Sequence, residues 1–181
     1  MRRSSRIAGR QPAEPAQPAA KRQRRAPTAP PAAAAAAATA STAPLAIGDA
    51  LPDITLVNQH GEPVRVRDYT QAVIFAYPRA NTPGCTRQAQ HFRDDYAEWA
   101  ARGYAVCGVS IDAPGAQLRW ATRLALPYTL LSDPERVLIG ALTGSTATTR
   151  RSDFVVRDGR LAAAHLGVRP DASSAGALAA T

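Results

Sequence analysis

The sequence predicts an α/β fold, and three features carry that prediction. Short apolar runs alternate with segments of helical period through residues 72–142. A pair of strand-like runs about a glycine-containing turn stands at each end of that stretch. The run at 72–76 is apolar throughout, as in a strand covered on both faces, whereas residues 64–67 alternate like a half-buried strand. Alternating strands and helices flanked by hairpins build an α/β sandwich.

Each element follows in order. Residues 54–57 are expected as a strand, 58–62 as a turn in which Gly61 takes a positive φ, and 64–67 as the return strand. Residues 72–76 form the buried central strand. The loop 77–84 leads from it to Cys85, with Pro83 and Gly84 suited to the turn into a helix and Thr82 placed as its cap. The helix runs to residue 101, sets Ala89, Phe92, Tyr96 and Trp99 on one stripe, and ends at Gly103. Residues 104–111 are a second apolar strand, carrying Cys107. A helix over 116–124 turns Leu118, Ala121 and either Leu124 or Ala125 inward, and Leu126-Pro127 stops it. A strand at 128–131 and a short helix at 135–142 follow. Strands at 152–156 and 161–165 close a last hairpin about Asp158-Gly159. Only residues 171–181 remain after Pro170, rich in Ala and Ser, so the terminal helix is expected to be short and prone to fray.

Residues 1–44 differ in kind. They are dominated by Ala, Pro, Arg, Ser and Thr and lack the apolar surface needed to offset chain entropy, so a disordered tail is expected before a domain at 45–181. The whole chain carries a net charge of +8, and Arg2, Arg3, Arg6, Arg10, Lys21, Arg22, Arg24 and Arg25 stand in the tail against Glu14 alone. The domain is therefore nearly neutral, and its charge gives no sign of a nucleic-acid groove. Basic clusters such as 21–25 serve as nuclear localisation signals or nucleic-acid contacts. A mitochondrial transit peptide is the rival reading. Prolines at 12, 15, 18, 27, 30 and 31 break an amphipathic helix there, which favours a nuclear address and an import receptor as partner, with cytoplasm or mitochondrion as the alternatives. Two cysteines exclude a disulfide scaffold and suit a reducing compartment. No apolar run approaches the roughly 18 residues of a membrane span.

Cys85 is the residue with chemistry. The N-terminus of a helix favours an anion, and a thiolate is one. The spacing Pro78, Thr82, Cys85 reads P-x-x-x-T-x-x-C. With Phe92-Arg93-Asp94, Leu126-Pro127-Tyr128 and the run from Leu130 to Pro134, it resembles the peroxiredoxins. The likeness is greatest to their PrxQ, or bacterioferritin-comigratory, branch and to its fungal nuclear thiol peroxidases. The resemblance implies a thioredoxin fold with an N-terminal β-hairpin. It implies a thiol peroxidase that reduces hydrogen peroxide and organic hydroperoxides through a Cys85 sulfenic acid. It implies an external thiol reductant such as thioredoxin, a monomer, and neither cofactor nor metal. In that scheme the Thr82 hydroxyl binds thiolate and peroxide, and Pro78 shields the sulfur. An arginine before the last hairpin supplies positive charge. Counting back from Asp158-Gly159 assigns it to Arg151, while Arg150 points to the opposite face.

Two positions depart from the family pattern. Gln90 stands where many members carry a resolving cysteine, and Gln88 where many carry Glu. Cys107 is the other thiol and is expected as a buried packing residue. A one-cysteine cycle is the resulting expectation. A low-turnover redox sensor associated with chromatin through the tail is the alternative function. His60, His91 and His165 have no metal-ligand spacing, and no C-x-x-C surrounds Cys85.

Overall fold

A computed structural model describes residues 43–181. The expected tail, its basic clusters and the nuclear or transit reading lie outside the described residues, apart from positions 43 and 44.

Seven strands make one sheet: β1 (Thr55–Asn58), β2 (Pro63–Arg65), β3 (Ala72–Ala76), β4 (Ala105–Ser110), β5 (Thr129–Ser132), β6 (Ser152–Arg157) and β7 (Arg160–Leu166). Their spatial order is β2-β1-β5-β4-β3-β6-β7. The three central strands run parallel, β3 beside β4 and β4 beside β5, and the two hairpins add antiparallel edges. The helices are α1 (Pro83–Asp94), α2 (Tyr96–Ala101), α3 (Pro114–Leu124), α4 (Val137–Thr143) and α5 (Ser173–Leu178). This is the expected thioredoxin-like arrangement with an N-terminal hairpin.

The period of two along β3 divides the core. Val73 and Phe75 face a cluster with Cys85, Ala89 and Phe92 of α1, Trp99 of α2, Trp120 of α3 and Ala177 of α5. Ala72, Ile74 and Ala76 face the other way, toward Leu138, Ile139 and Leu142 of α4 and toward Leu56 and Val66. All five β3 residues are buried, as a doubly covered strand requires. Phe75 stacks on Phe92 with ring centroids 4.4 Å apart. That stack depends on Gly108 of β4, where an added Cβ would lie 2.8 Å from Phe75 Cζ and 2.7 Å from Leu130 Cδ2. Gly108→Ala is therefore expected to destabilise by about 1–3 kcal/mol through overpacking, measured by urea unfolding. Unfolding at the wild-type midpoint would show that the ring yields.

Several expectations shift. Only Pro63–Arg65 of the return strand pairs, because Val66 turns into a 3₁₀ helix (Val66–Asp68) and is wholly buried. The long helix after Cys85 divides at Asp95, whose backbone (φ −87°, ψ 3°) leaves the helical region before α2 resumes the same apolar stripe. α3 buries Gln117, Trp120 and Ala121, and Leu118 is 37% exposed, contrary to expectation. Helical period allows one face only, and Gln117 holds it with Nε2 donating to the Leu131 carbonyl at 2.8 Å and sharing its other hydrogen between the Ser110 and Tyr77 hydroxyls, 3.1 and 3.2 Å away. Asp133 caps α4, accepting the Val137 and Ile139 N–H groups at 2.8 Å each. The terminal helix α5 is short, as expected, yet docked: Gln88 Nε2 and Trp99 Nε1 donate to the hydroxyls of Ser173 and Ser174, at 3.0 and 3.1 Å.

Candidate active site

The site lies where β3 ends, on the face of the sheet covered by α1, α2, α3 and α5. Tyr77 extends β3, donating its N–H to Val109 O at 3.1 Å, and is fully buried. Pro78 follows with its ring exposed. The loop is pinned from beneath: the Asp112 carboxylate accepts the Ala80 N–H at 2.7 Å and the Ser110 hydroxyl at 2.9 Å. Arg123 donates to the Asn81 side-chain oxygen. Asn81 takes a left-handed φ of 63°, the bend that returns the chain into α1.

Thr82 occupies the N-cap position with extended backbone (φ −91°, ψ 153°) but makes no capping hydrogen bond with its side chain. Its hydroxyl donates back to the Arg79 carbonyl at 3.0 Å. The sulfur is thus not its hydrogen-bond partner here, and the hydroxyl oxygen keeps lone pairs free to accept. Pro83 takes the first helical turn, and Cys85 follows within it, 1% exposed. Trp120 Nε1 donates to Thr86 Oγ1 at 3.3 Å, tying α3 to the residue after the thiol.

Arg151 lies one residue before β6, half-buried, with Nη2 3.5 Å from Cys85 Sγ. Its Nη1 donates to Gln88 Oε1 at 2.7 Å. Arg150 is exposed and reaches Gly167 instead, where an added Cβ would stand 3.1 Å from its Nη2. Gly84 has a role the turn did not suggest: a Cβ there would sit 3.0 Å from Arg151 Nη2 and obstruct its approach to the sulfur.

Behind Gln88 stands a buried polar chain that the sequence did not suggest. Gln88 Nε2 donates to Ser173 Oγ at 3.0 Å, and Ser173 Oγ donates to Asp153 Oδ2 at 2.8 Å. Asp153 Oδ1 lies 2.6 Å from His165 Nδ1. Burial holds the Asp153 carboxyl above the ordinary carboxylate range, while the bonds from His165 and Ser173 draw it back down. The one visible signal was a carboxylate, Asp153, within the strand expected at 152–156.

Cys107 lies on the other face of the sheet. Its neighbour Val106 belongs to the Cys85 cluster, and Cys107 itself packs with Ile74, Leu138 and Ile139. It is fully buried, and desolvation pushes its thiol up to about 12. Gln90 is half-buried on α1. An open cleft of about 630 Å³ borders the loop, walled by Arg79, Arg119 and Arg123 with Asp112 and Trp120. Among the described residues none of these three arginines pairs with a carboxylate, so the approach to the loop is electropositive. Among the described residues, no helix is long and apolar enough to cross a membrane.

Comparison with known proteins agrees with this fold. The AhpC/TSA family model matches residues 47–164. The peroxiredoxin bcp1 of Schizosaccharomyces pombe is 46% identical over 101 residues, covering 54% of this chain and 52% of that protein. The chloroplastic peroxiredoxin Q of Arabidopsis thaliana is 43% identical over 88 residues, covering 48% and 41%. The chain thus spans about half the length of these curated relatives. The crystal structure of peroxidoxin BcpB from Mycobacterium tuberculosis superposes with a TM-score of 0.69 at 31% identity, over 75% of this chain and 96% of that one.

Proposed function

We propose, from the premise that the chain belongs to the AhpC/TSA family and has its relatives in the Bcp/PrxQ peroxiredoxin branch, that it is a thiol peroxidase with Cys85 as the nucleophile. One observation carries the assignment of the site: Cys85 Sγ stands at the start of α1 with the Arg151 guanidinium 3.5 Å away. An arginine stays protonated at any physiological pH, so the sulfur faces a permanent cation. The helix N-terminus adds partial positive charge from the same side.

The reaction then runs in three steps. The Cys85 thiolate attacks one oxygen of a hydroperoxide, the O–O bond breaks, and the departing alkoxide or hydroxide takes a proton to leave as alcohol or water. The remaining oxygen stays on sulfur as sulfenic acid. Arg151 and the free N–H groups of the first turn of α1 stabilise charge as it moves onto the leaving oxygen. Thr82 holds the peroxide through its hydroxyl, and Pro78 limits water at the sulfur. An external thiol attacks the sulfenic sulfur, releasing water and leaving a mixed disulfide. A second thiol breaks it and restores Cys85. Hydrogen peroxide and organic hydroperoxides are the proposed substrates, and thioredoxin is a candidate reductant.

The external thiol is needed because the chain offers no internal one within reach. A disulfide requires Cα atoms within about 7 Å and converging Cβ vectors. Cys107 packs on the far face of the sheet and Gln90 has no thiol. Intact mass after one equivalent of peroxide is expected to show a single added oxygen, and non-reducing peptide maps no Cys85–Cys107 linkage. Excess peroxide without thiol should carry Cys85 on to irreversible oxidation. A Cys85–Cys107 linkage formed at the turnover rate would overturn the one-cysteine cycle. Monomeric behaviour is the accompanying proposal.

For residues 1–44 the proposal is nuclear import through the cluster at 21–25. A reporter fused to this segment is expected in the nucleus and lost from it when Lys21, Arg22, Arg24 and Arg25 are replaced by Gln. Mitochondrial import would replace this reading with the transit-peptide one. A chromatin-bound sensor of low turnover is separated from the enzyme by measuring turnover with peroxide and thiol.

A further inference from the structure

The Gln88 amide touches Arg151 and is itself fully buried. Its two ends are nearly the same shape and opposite in chemistry. Guanidinium can only donate, so the amide must turn its oxygen to Arg151. What sets that orientation lies at the amide's other end. Ser173 can donate or accept, and its one proton is committed to Asp153 Oδ2 at 2.8 Å. A carboxylate only accepts. Ser173 Oγ is thereby left to accept from Gln88 Nε2 at 3.0 Å. His165 Nδ1, at 2.6 Å, occupies the second carboxylate oxygen.

We propose that Asp153 and Ser173 are positioning residues for the Cys85 chemistry, holding the Gln88 amide in the one orientation that keeps Arg151 on the sulfur. This rests on the assignment of Cys85 as peroxidatic thiol and deepens it. The donors all point the same way, from Arg151 through Gln88 and Ser173 to Asp153, so each bond strengthens the next. Without the carboxylate, Ser173 is free to donate to the amide oxygen. The amide then turns its NH₂ to Arg151, two donors face each other, and the guanidinium leaves Sγ. The chain crosses α1, α5, β6 and β7, so the short terminal helix and the last hairpin both bear on a thiol that neither contributes.

The experiment is a mutant cycle on the full chain. Ser173→Ala is expected to slow single-turnover oxidation of Cys85 about tenfold. Alanine is a strong helix former, so α5 is retained. Asp153→Leu enters the same chain from its other end and is expected to give the same loss of rate. Gln88→Glu then removes the need for orientation, because both oxygens of a carboxylate accept. In that background Ser173→Ala and Asp153→Leu should each change the rate less than twofold. The same fold-loss in both backgrounds would mean that these residues only support the fold, and would overturn the proposal. So would a wild-type rate in Ser173→Ala. Absence of any Cys85 oxidation in the wild-type chain would instead refute the peroxidase assignment itself.

Discussion

Cys85→Ser is expected to consume no peroxide above background, a loss greater than about 10⁴-fold, on the scale seen when a reacting nucleophile is removed. A serine hydroxyl stays protonated at neutral pH and offers a poor nucleophile to the O–O bond. The charged group that contacts the sulfur is the guanidinium of Arg151 at 3.5 Å, a donor that cannot take the hydroxyl proton. The fold should persist. Position 85 is a small buried site, and a hydroxyl there still accepts from Arg151. Peroxide consumption and a thermal melt, read together, decide the matter. Retained turnover with an intact fold would move the nucleophile elsewhere.

Arg151→Ala is expected to lower the rate of Cys85 oxidation by about 10²–10³-fold, as when a preorganised donor to a developing oxyanion is deleted. Arg150→Ala should stay within twofold, since that side chain lies against Gly167 and not against the sulfur. The stability of Arg151→Ala should fall as well. Gln88 Oε1 would lose its donor inside the core, at a cost of about 1–3 kcal/mol. Arg151→Lys is not a rescue, because one ammonium cannot reproduce the fork that meets both Sγ and Oε1. An unchanged rate in Arg151→Ala would remove the cation from the mechanism.

Much of this architecture was legible because the signals are local. The unbroken apolar runs of β3 and β4 mark doubly covered strands. Asp158 and Gly159, both at positive φ (52° and 70°), mark the last hairpin turn. The Cys85 loop and the offset of Arg151 from that turn were readable by counting. What escaped was tertiary. Gln117 looks like a surface residue until its three buried acceptors come together, so Leu118 took its place on the expected inner face. The division at Asp95 leaves the apolar stripe in phase, and periodicity alone does not see it. Gln88 meets Ser173 across 85 positions and Arg151 across 63. No window of sequence contains both ends of such a bond. Gly84 was legible as a turn residue, while the approach of Arg151 that it admits was not.

The placement of Cys107 has a use apart from peroxide chemistry. It sits in the middle of β4, hydrogen-bonded into the sheet between β3 and β5. A thiol raised to about 12 and fully buried is inert to alkylating reagents in the native state. It becomes reactive only when the strands around it separate, which ranks among the costliest openings of a domain. Each molecule should therefore take its first alkyl group at Cys85, at the protein's edge near the loop, and a second at Cys107 only as fast as the centre of the sheet opens. The slow phase, followed by mass, reports the lifetime of the folded core without any added label.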